Sequence, residues 1–301
     1  MAALDTSTSL QGGKAPSSAV SDHKIQPSVM YEPVAEPVEL KKMMHESIYI
    51  TGGQFAILLQ FGNPRLAQGS AEHSDFAVRI LNRLKTTSRY LVAAVYGTPE
   101  EKAAITSVIH KAHSVVKKEN KYSADDPELH KWTAATLFVS MLKVHETFLG
   151  KLPDDLVEKL YKESAIFGTC LRMPPEMWPA TLDDFWEYWN HNIETLEITH
   201  WAKDLGRSLM YPINIPWYLR PALPTARLLT AAWLPERIRV AYGFLPDPAK
   251  HRMLLKSTIA AISTAYRLTP VYVRSIPHRY YKKNMAKAVR RIQETGSWSR
   301  L

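Results

Sequence analysis

The 301-residue sequence predicts an all-α fold. We read it as a single globular multi-helix domain with long irregular connections over residues 41–301, preceded by a disordered N-terminal tail over 1–40. Three observations carry this. Beyond about residue 40, apolar residues return every three or four positions almost throughout, the period of a helix half-sunk in a core. Several of these stretches open on an Asp or Thr cap with Pro or acidic residues in the first turn. No βαβ alternation and no repeat of fixed period interrupts the pattern.

The tail "MAALDTSTSLQGGKAPSSAVSDHKIQPS" is rich in Ser, Gly, Ala and Pro and has no apolar periodicity. It also lacks the apolar run of a secretory signal. "GGQFAILLQFGNP" reads as a short buried helix closed by Gly62 and Pro64. "DFAVRILNRLKTTSRYLVAAVYG" keeps helical spacing up to Gly97, and "TPEEKAAITSVIHKAHSVVKKEN" starts the next helix with Pro99 and two glutamates. In "ADDPELHKWTAATLFVSMLKVHETFLG", Asp126 is the N-cap and Pro127 the first helical residue. From Trp132 to Val144 that segment is apolar nearly all round, so it should be buried on most sides. "PDDLVEKLYKESAIFG" is amphipathic. "TLDDFWEYWNHNIETLEITHWAKDLG" opens with Thr181 and Asp184 in capping-box spacing. "DPAKHRMLLKSTIAAISTAYRLTP" repeats the Asp-cap, Pro-first device at Asp247 and Pro248.

Composition narrows the function classes. Hydrophobic residues make up 46% of the chain, with 8 Trp, 14 Tyr and 8 Phe, enough for a large core. The lone Cys170 excludes an internal disulfide framework and CxxC metal sites, which points to a reducing, cytoplasmic compartment. No segment reaches the roughly 18 uncharged apolar residues of a membrane span. The formal charge of +9 is concentrated in "RSIPHRYYKKNMAKAVRRIQ", residues 274–293. No nucleic-acid motif accompanies it, so we expect a solvated basic helix and no nucleic-acid partner, with peripheral membrane contact as its further use.

Candidate chemistry begins at "ITSVIHKAHSVVKK". At about 100° per residue, Ile105, Val108, Ile109, Ala112, Val115 and Val116 form one apolar stripe. His110 points well away from it and His113 sits on its shoulder, where an imidazole can reach a partly buried cavity. Glu197 and His200 form a Glu-x-x-His element of the kind di-iron bundles use, but such bundles need it twice and this chain has it once. Trp178, Trp186, Trp189, Trp201 and Trp217 cluster in one segment, as core packing or as the wall of an apolar pocket. Arg83 and Thr87, four apart on a helix, share a face. An arginine, a hydroxyl and a neutral imidazole suit a porphyrin with carboxylate arms, without requiring one.

The pieces "LLQFGNPRLAQGSAEHSDF", "NRLKTTSRY", "VYGTPEEK", "IHKAHSVV", "YSADDPELHKWTAATL", "PATLDDFWEYWN" and "WYLRPALPTARLLTAAWLPERIRVAYGF" add a resemblance. As an ordered set, from about residue 50 to 270, they resemble the family of the mycophenolic-acid-pathway oxygenase and the latex-clearing rubber oxygenase. That family is α-helical and its best-characterised members bind haem b. The resemblance implies His113 as the proximal iron ligand, in a His-x-x-Val pattern. It also implies Arg83 and Thr87 as the Arg-x-x-x-Thr motif, with Arg83 steadying a propionate. The implied reaction is ferrous or reductive activation of O2 against a lipophilic small molecule, a biosynthetic intermediate of secondary metabolism. Three positions depart from the rubber-cleaving pattern: His110 replaces an arginine, Thr86 a distal lysine, with Lys85 one residue off, and Ala134 a histidine of many relatives. They count against rubber-type distal chemistry and leave a cofactor-independent cyclase or isomerase on the same scaffold as the alternative. A third reading is a non-enzymatic lipid-surface protein using the basic C-terminal helix.

Overall fold

The computed structural model describes residues 30–73, 80–244 and 251–297. Helices dominate, as the periodicity predicts. α1 (Glu39–Met44) leads through a 3-10 turn (Ser47–Gly52) into α2 (Gly53–Phe61) and α3 (Pro64–Glu72). α4 (Ile80–Tyr96) and α5 (Pro99–Ser114) follow, then a small antiparallel hairpin, β1 (Lys117–Lys118) and β2 (Tyr122–Ser123). α6 (Pro127–Phe148), α7 (Asp154–Ser164) and α8 (Ile166–Thr169) form the middle of the chain. α9 (Leu182–Thr195), α10 (His200–Met210), α11 (Leu223–Trp233) and α12 (Glu236–Tyr242) come next. α13 (Arg252–Leu268), α14 (Val271–Arg274) and α15 (Ile276–Thr295) complete it. The cap predicted at Asp247 and Pro248 lies outside the described residues.

α6 is the axis of the fold. Asp126 caps it through the Glu128 amide with Pro127 in the first position, as predicted. Its apolar surround buries Leu129, Trp132, Phe138, Val144 and Phe148 against α2, α7, α8, α13 and the first 3-10 turn. Gly52 is required where that turn meets α6: a Cβ there would collide with Ser140 Oγ, which donates to the Gly52 carbonyl at 2.9 Å. The aromatic segment mostly serves the core. Trp189 stacks on Trp132 at 5.2 Å and Trp178 lies 5.5 Å from Phe185, while Trp217 faces solvent.

Two predicted helices end early, and tertiary contacts explain both. The α5 helix stops at Ser114 instead of running on through Asn120, which takes a left-handed φ of 56°. The hairpin that follows is held by Tyr122, whose hydroxyl donates to Glu72 at 2.6 Å, and by Lys118, paired with Glu72 at 3.1 Å. The α9 helix breaks at Leu196 because Arg237, from α12, donates to the Ile193 and Leu196 carbonyls at 2.5 and 2.8 Å. Thr199 then caps α10. Glu197 and His200 are therefore exposed, with a helix boundary between them, and the Glu-x-x-His element does not form.

Of the predicted tail, residues 1–29 lie outside the described set. Residues 30–40 lie against the body: Thr106 Oγ1 meets Met30 Sδ at 3.2 Å, and Pro37 and Leu40 are buried. The buried carboxylate of Glu163 accepts from the Glu39 and Leu40 amides at 3.1 and 2.7 Å, capping α1 from α7. α1 has no side-chain cap of its own. Glu163→Ala should therefore cost about 2–3 kcal/mol in urea melts, since charge-assisted bonds are lost and α1 amides are left unpaired. Glu163→Gln, which keeps one acceptor, should lose less.

A buried histidine cluster as the candidate active site

The burial of α5 differs from its apolar spacing. Ala112 and Val115 are exposed, whereas Ile105, Thr106, Ile109 and His110 are buried, the last only 2% exposed. The helix is thus rotated, and the edge carrying His110 and His113 faces inward. His110 does not point away from the core. The rotation follows from packing: α4 and α15 both lie against α5, and a capping box of Thr98 and Glu101 sets its start.

On its inward edge α5 meets the first turn of α6. The His113 and His130 rings stack with centroids 5.8 Å apart. His130 Nε2 lies 2.8 Å from the Ala124 carbonyl, and a carbonyl only accepts, so Nε2 carries the proton and Nδ1 keeps its lone pair. Arg172 arrives from the turn after α8, with a left-handed φ of 72° that a glycine would occupy more cheaply. Its Nη1 lies 3.8 Å from Asp125 Oδ2.

These groups leave hydrogen-bonding capacity unused. His113 Nδ1, His130 Nδ1, Asp125 Oδ1 and Arg172 Nε are buried without partners, as are both nitrogens of His110. His110 approaches the Cys170 backbone, but no bond of good geometry results. Burial, reinforced by Arg172 and His130, pushes His110 down to about 4. Burial first, then His130, His110, Arg83 and Arg172, push His113 down to about 3. His130 is also lowered, by burial, against the opposing pull of its Ala124 bond. All three imidazoles are neutral at physiological pH, the form that ligates metals. Burial pushes Cys170 up to about 11, so it stays a thiol.

The structure brings Arg83 and His113 into one electrostatic neighbourhood, since the guanidinium charge disfavours protonation of the imidazole. Arg83 is half-buried on α4, which Tyr90 ties to α8 by donating to the Phe167 carbonyl at 2.7 Å. Thr87 lies one turn further along and is exposed, outside the buried cluster. The Thr86 hydroxyl is turned back to the Arg83 carbonyl at 3.0 Å, and Ala134 is fully buried on α6. Sequence reasoning missed His130, Asp125 and Arg172. His130 carried one usable signal, a histidine opening a helix that is otherwise apolar. Nothing in the sequence marks Arg172 as left-handed.

Buried lone pairs beside two guanidinium groups suit a ligand that offers an electron-pair acceptor and carboxylates together. A haem has both, so the residues present fit one. Among the described residues, no group of three or more His, Cys, Asp or Glu is placed to hold a bare metal ion.

Comparison with known proteins gives the family of the chain. Two curated relatives, uncharacterised proteins of Mycobacterium bovis and Mycobacterium tuberculosis, are each 30% identical over 223 residues. The alignment covers 71% of this chain and 87% of each relative. No solved structure matches significantly. Residues 40–264 match the family described as ER-bound oxygenase mpaB/B'/Rubber oxygenase, catalytic domain. The chain belongs to that family, and its helical body is an oxygenase-type oxidoreductase domain.

Proposed function

We propose that the protein is a haem b-dependent oxygenase acting on a lipophilic small molecule, an intermediate of secondary metabolism, with O2 as co-substrate. The observation that carries this reading is the buried set of neutral imidazoles with unused lone pairs, flanked by Arg83 and Arg172. His113 is the residue that would ligate the iron, and His130, stacked on it and bonded to a backbone carbonyl, would fix its ring orientation. Arg83 holds a propionate as a charge-assisted pair. When bound, haem supplies the activation of O2. The chain would supply a neutral imidazole nitrogen from His113, the neutralising cations and the dry surroundings that keep that ring unprotonated. With Thr86 bonded back onto its own helix and Ala134 a methyl group, no lysine or histidine stands where the rubber-type pattern has one. A compact substrate suits this better than a polymer.

The cofactor-independent cyclase has no specific observation in its favour, because the unpartnered histidines would then be a cost with no return. Haem titrated into the purified protein should produce a Soret band saturating at one haem per chain, and product should carry ¹⁸O from labelled O2. A protein that stays colourless with added haem, or that turns over under strict anaerobiosis, overturns the reading.

Arg83 and Thr87 separate site from scaffold. Arg83→Ala should lose a charge-assisted pair of about 1.5–3 kcal/mol, lowering haem affinity by about one to two orders of magnitude while helix content is unchanged. Thr87→Val keeps the shape, and because Thr87 is exposed the melting temperature should not change, so a change in the haem spectrum or turnover would place its hydroxyl at the site. Haem titrations and melting curves on the same samples read both. Unchanged affinity and activity in both variants would remove these two residues from the site.

A further inference from the structure

α13 has apolar residues on two sides. Leu255, Ile259, Ile262 and Tyr266 pack against the core, yet no residue of this helix is fully buried. Met253 is 85% exposed, and Leu254 and Leu268 also face outward. A helix apolar on opposite faces needs cover on both.

The neighbouring segment has the same character. The chain from Tyr211 into the 3-10 turn Trp217–Ala222 exposes Ile213, Trp217, Tyr218 and Leu219, with Trp217 79% exposed. α11 packs against both this turn and α13. A cavity of about 310 Å³ opens between them, lined by Tyr211, Pro224, Arg227, Leu228, Leu254 and Thr258. The two exposed apolar sets therefore flank one opening.

The charges of these segments have one sign. No acidic residue occurs between Asp204 and Glu236, nor between Asp247 and Glu294. Arg220, Arg227, Arg252 and Lys256 lie among the exposed apolar residues, and Arg227 stacks over the Tyr211 ring at 4.8 Å. Two copies of such a surface would repel each other. Nucleic acid would answer the cations but has no use for Ile213, Leu219 or Met253. A bilayer with anionic headgroups answers both: Trp and Tyr settle at headgroup level, aliphatic side chains enter the acyl region, and Arg and Lys reach the phosphates.

We infer that the surface formed by the 211–222 segment, the start of α11 at Pro224 and the outer side of α13 docks the protein on an anionic membrane, with the 310 Å³ cavity opening toward the lipid. The basic helix α15 is not the anchor. Its apolar side, with Met285, Ala288, Val289 and Ile292 buried, is used against α4 and α5, and its exposed large apolar residues stop at Ile276 and Tyr280 near its start, so along the rest of the helix Lys287 and Arg290 stand without exposed apolar neighbours. The docking does not depend on haem and holds whether or not the oxygenase reading does.

The test uses the full chain, with and without added haem, and vesicles of phosphatidylcholine with phosphatidylserine against phosphatidylcholine alone. Co-sedimentation should show binding to the anionic vesicles that weakens as salt rises. Trp217→Ala combined with Met253→Ser, both at well-exposed positions, should reduce that binding at least tenfold with the melting temperature unchanged. Arg220→Gln with Lys256→Gln should remove most of the preference for phosphatidylserine. Lys282→Gln with Lys283→Gln and Lys287→Gln on α15 should change binding less than twofold. Three outcomes overturn the inference: no binding to either vesicle, loss of binding only in the α15 variant, or a chain that is dimeric by light scattering and becomes monomeric in the Trp217 and Met253 variant without vesicle binding.

Discussion

His113→Leu should abolish tight haem uptake and, in the same molecule, raise the stability of the haem-free protein in mild acid. The two effects share one cause. A buried imidazole with an unpartnered Nδ1 costs the fold a desolvation penalty of about 1–3 kcal/mol, which a ligand able to use the ring would offset. Leucine fills similar volume, removes the polar atoms and removes the proton acceptor that burial holds down at about 3. A residue kept for packing behaves oppositely, since its replacement lowers stability and leaves binding alone. The check pairs a haem titration, read at the Soret band, with urea melts near pH 5. Loss of haem with lower stability would make His113 a structural residue whose removal merely loosens the site. Retained haem would move the ligand elsewhere, with His110 the next to test.

The second large effect is acid lability of the haem-free protein between about pH 6.5 and 4.5. An unperturbed imidazole titrates near 6.5. His110 and His113 titrate in the folded state at about 4 and about 3, and His130 is lowered as well. Above pH 6.5 all three are neutral in both states and contribute no pH dependence. Below it the unfolded chain takes up protons that the fold refuses, so stability falls as pH falls, by up to about 1.4 kcal/mol per pH unit for each group. The loss continues until the pH reaches the folded values. The upper part of this window lies above the titration of carboxylates such as Glu72, which hydrogen bonds from Tyr122 and Gln68 hold down at about 2. Urea melts across the window should show the decline, and His110→Gln and His113→Leu should each flatten it. Bound haem should remove the His113 share of it, because a coordinated imidazole has no lone pair left to protonate. A flat profile for the haem-free protein would show that the cluster is solvated and titrates normally.

What can be read from sequence differs between elements for physical reasons. α6 was legible because its signals are local: an Asp–Pro start at Asp126 and Pro127, then apolar residues all round a helix with core on most sides. The capping boxes at Thr98 and Thr181 are equally local, each closing within four residues. His113 was legible only as part of a pattern of residue types resembling a family. Its neighbourhood was not, because spacing predicted an apolar stripe through Ala112 and Val115, which the structure exposes.

The rest was decided by contacts between residues far apart in the chain. α5 ends where it does because Glu72, on α3, holds Lys118 and Tyr122. α9 breaks because Arg237, on α12, takes its last carbonyls. His130 and Arg172 join the site because α6 and the turn after α8 pack beside α5, and the left-handed backbone at Arg172 is a property of that turn. Cap, period and composition act within a few residues, so the sequence by itself determined helices, their starts and the ligand candidate. The meeting of three imidazoles with two guanidinium groups depends on which faces pack together, and only the tertiary structure decided that.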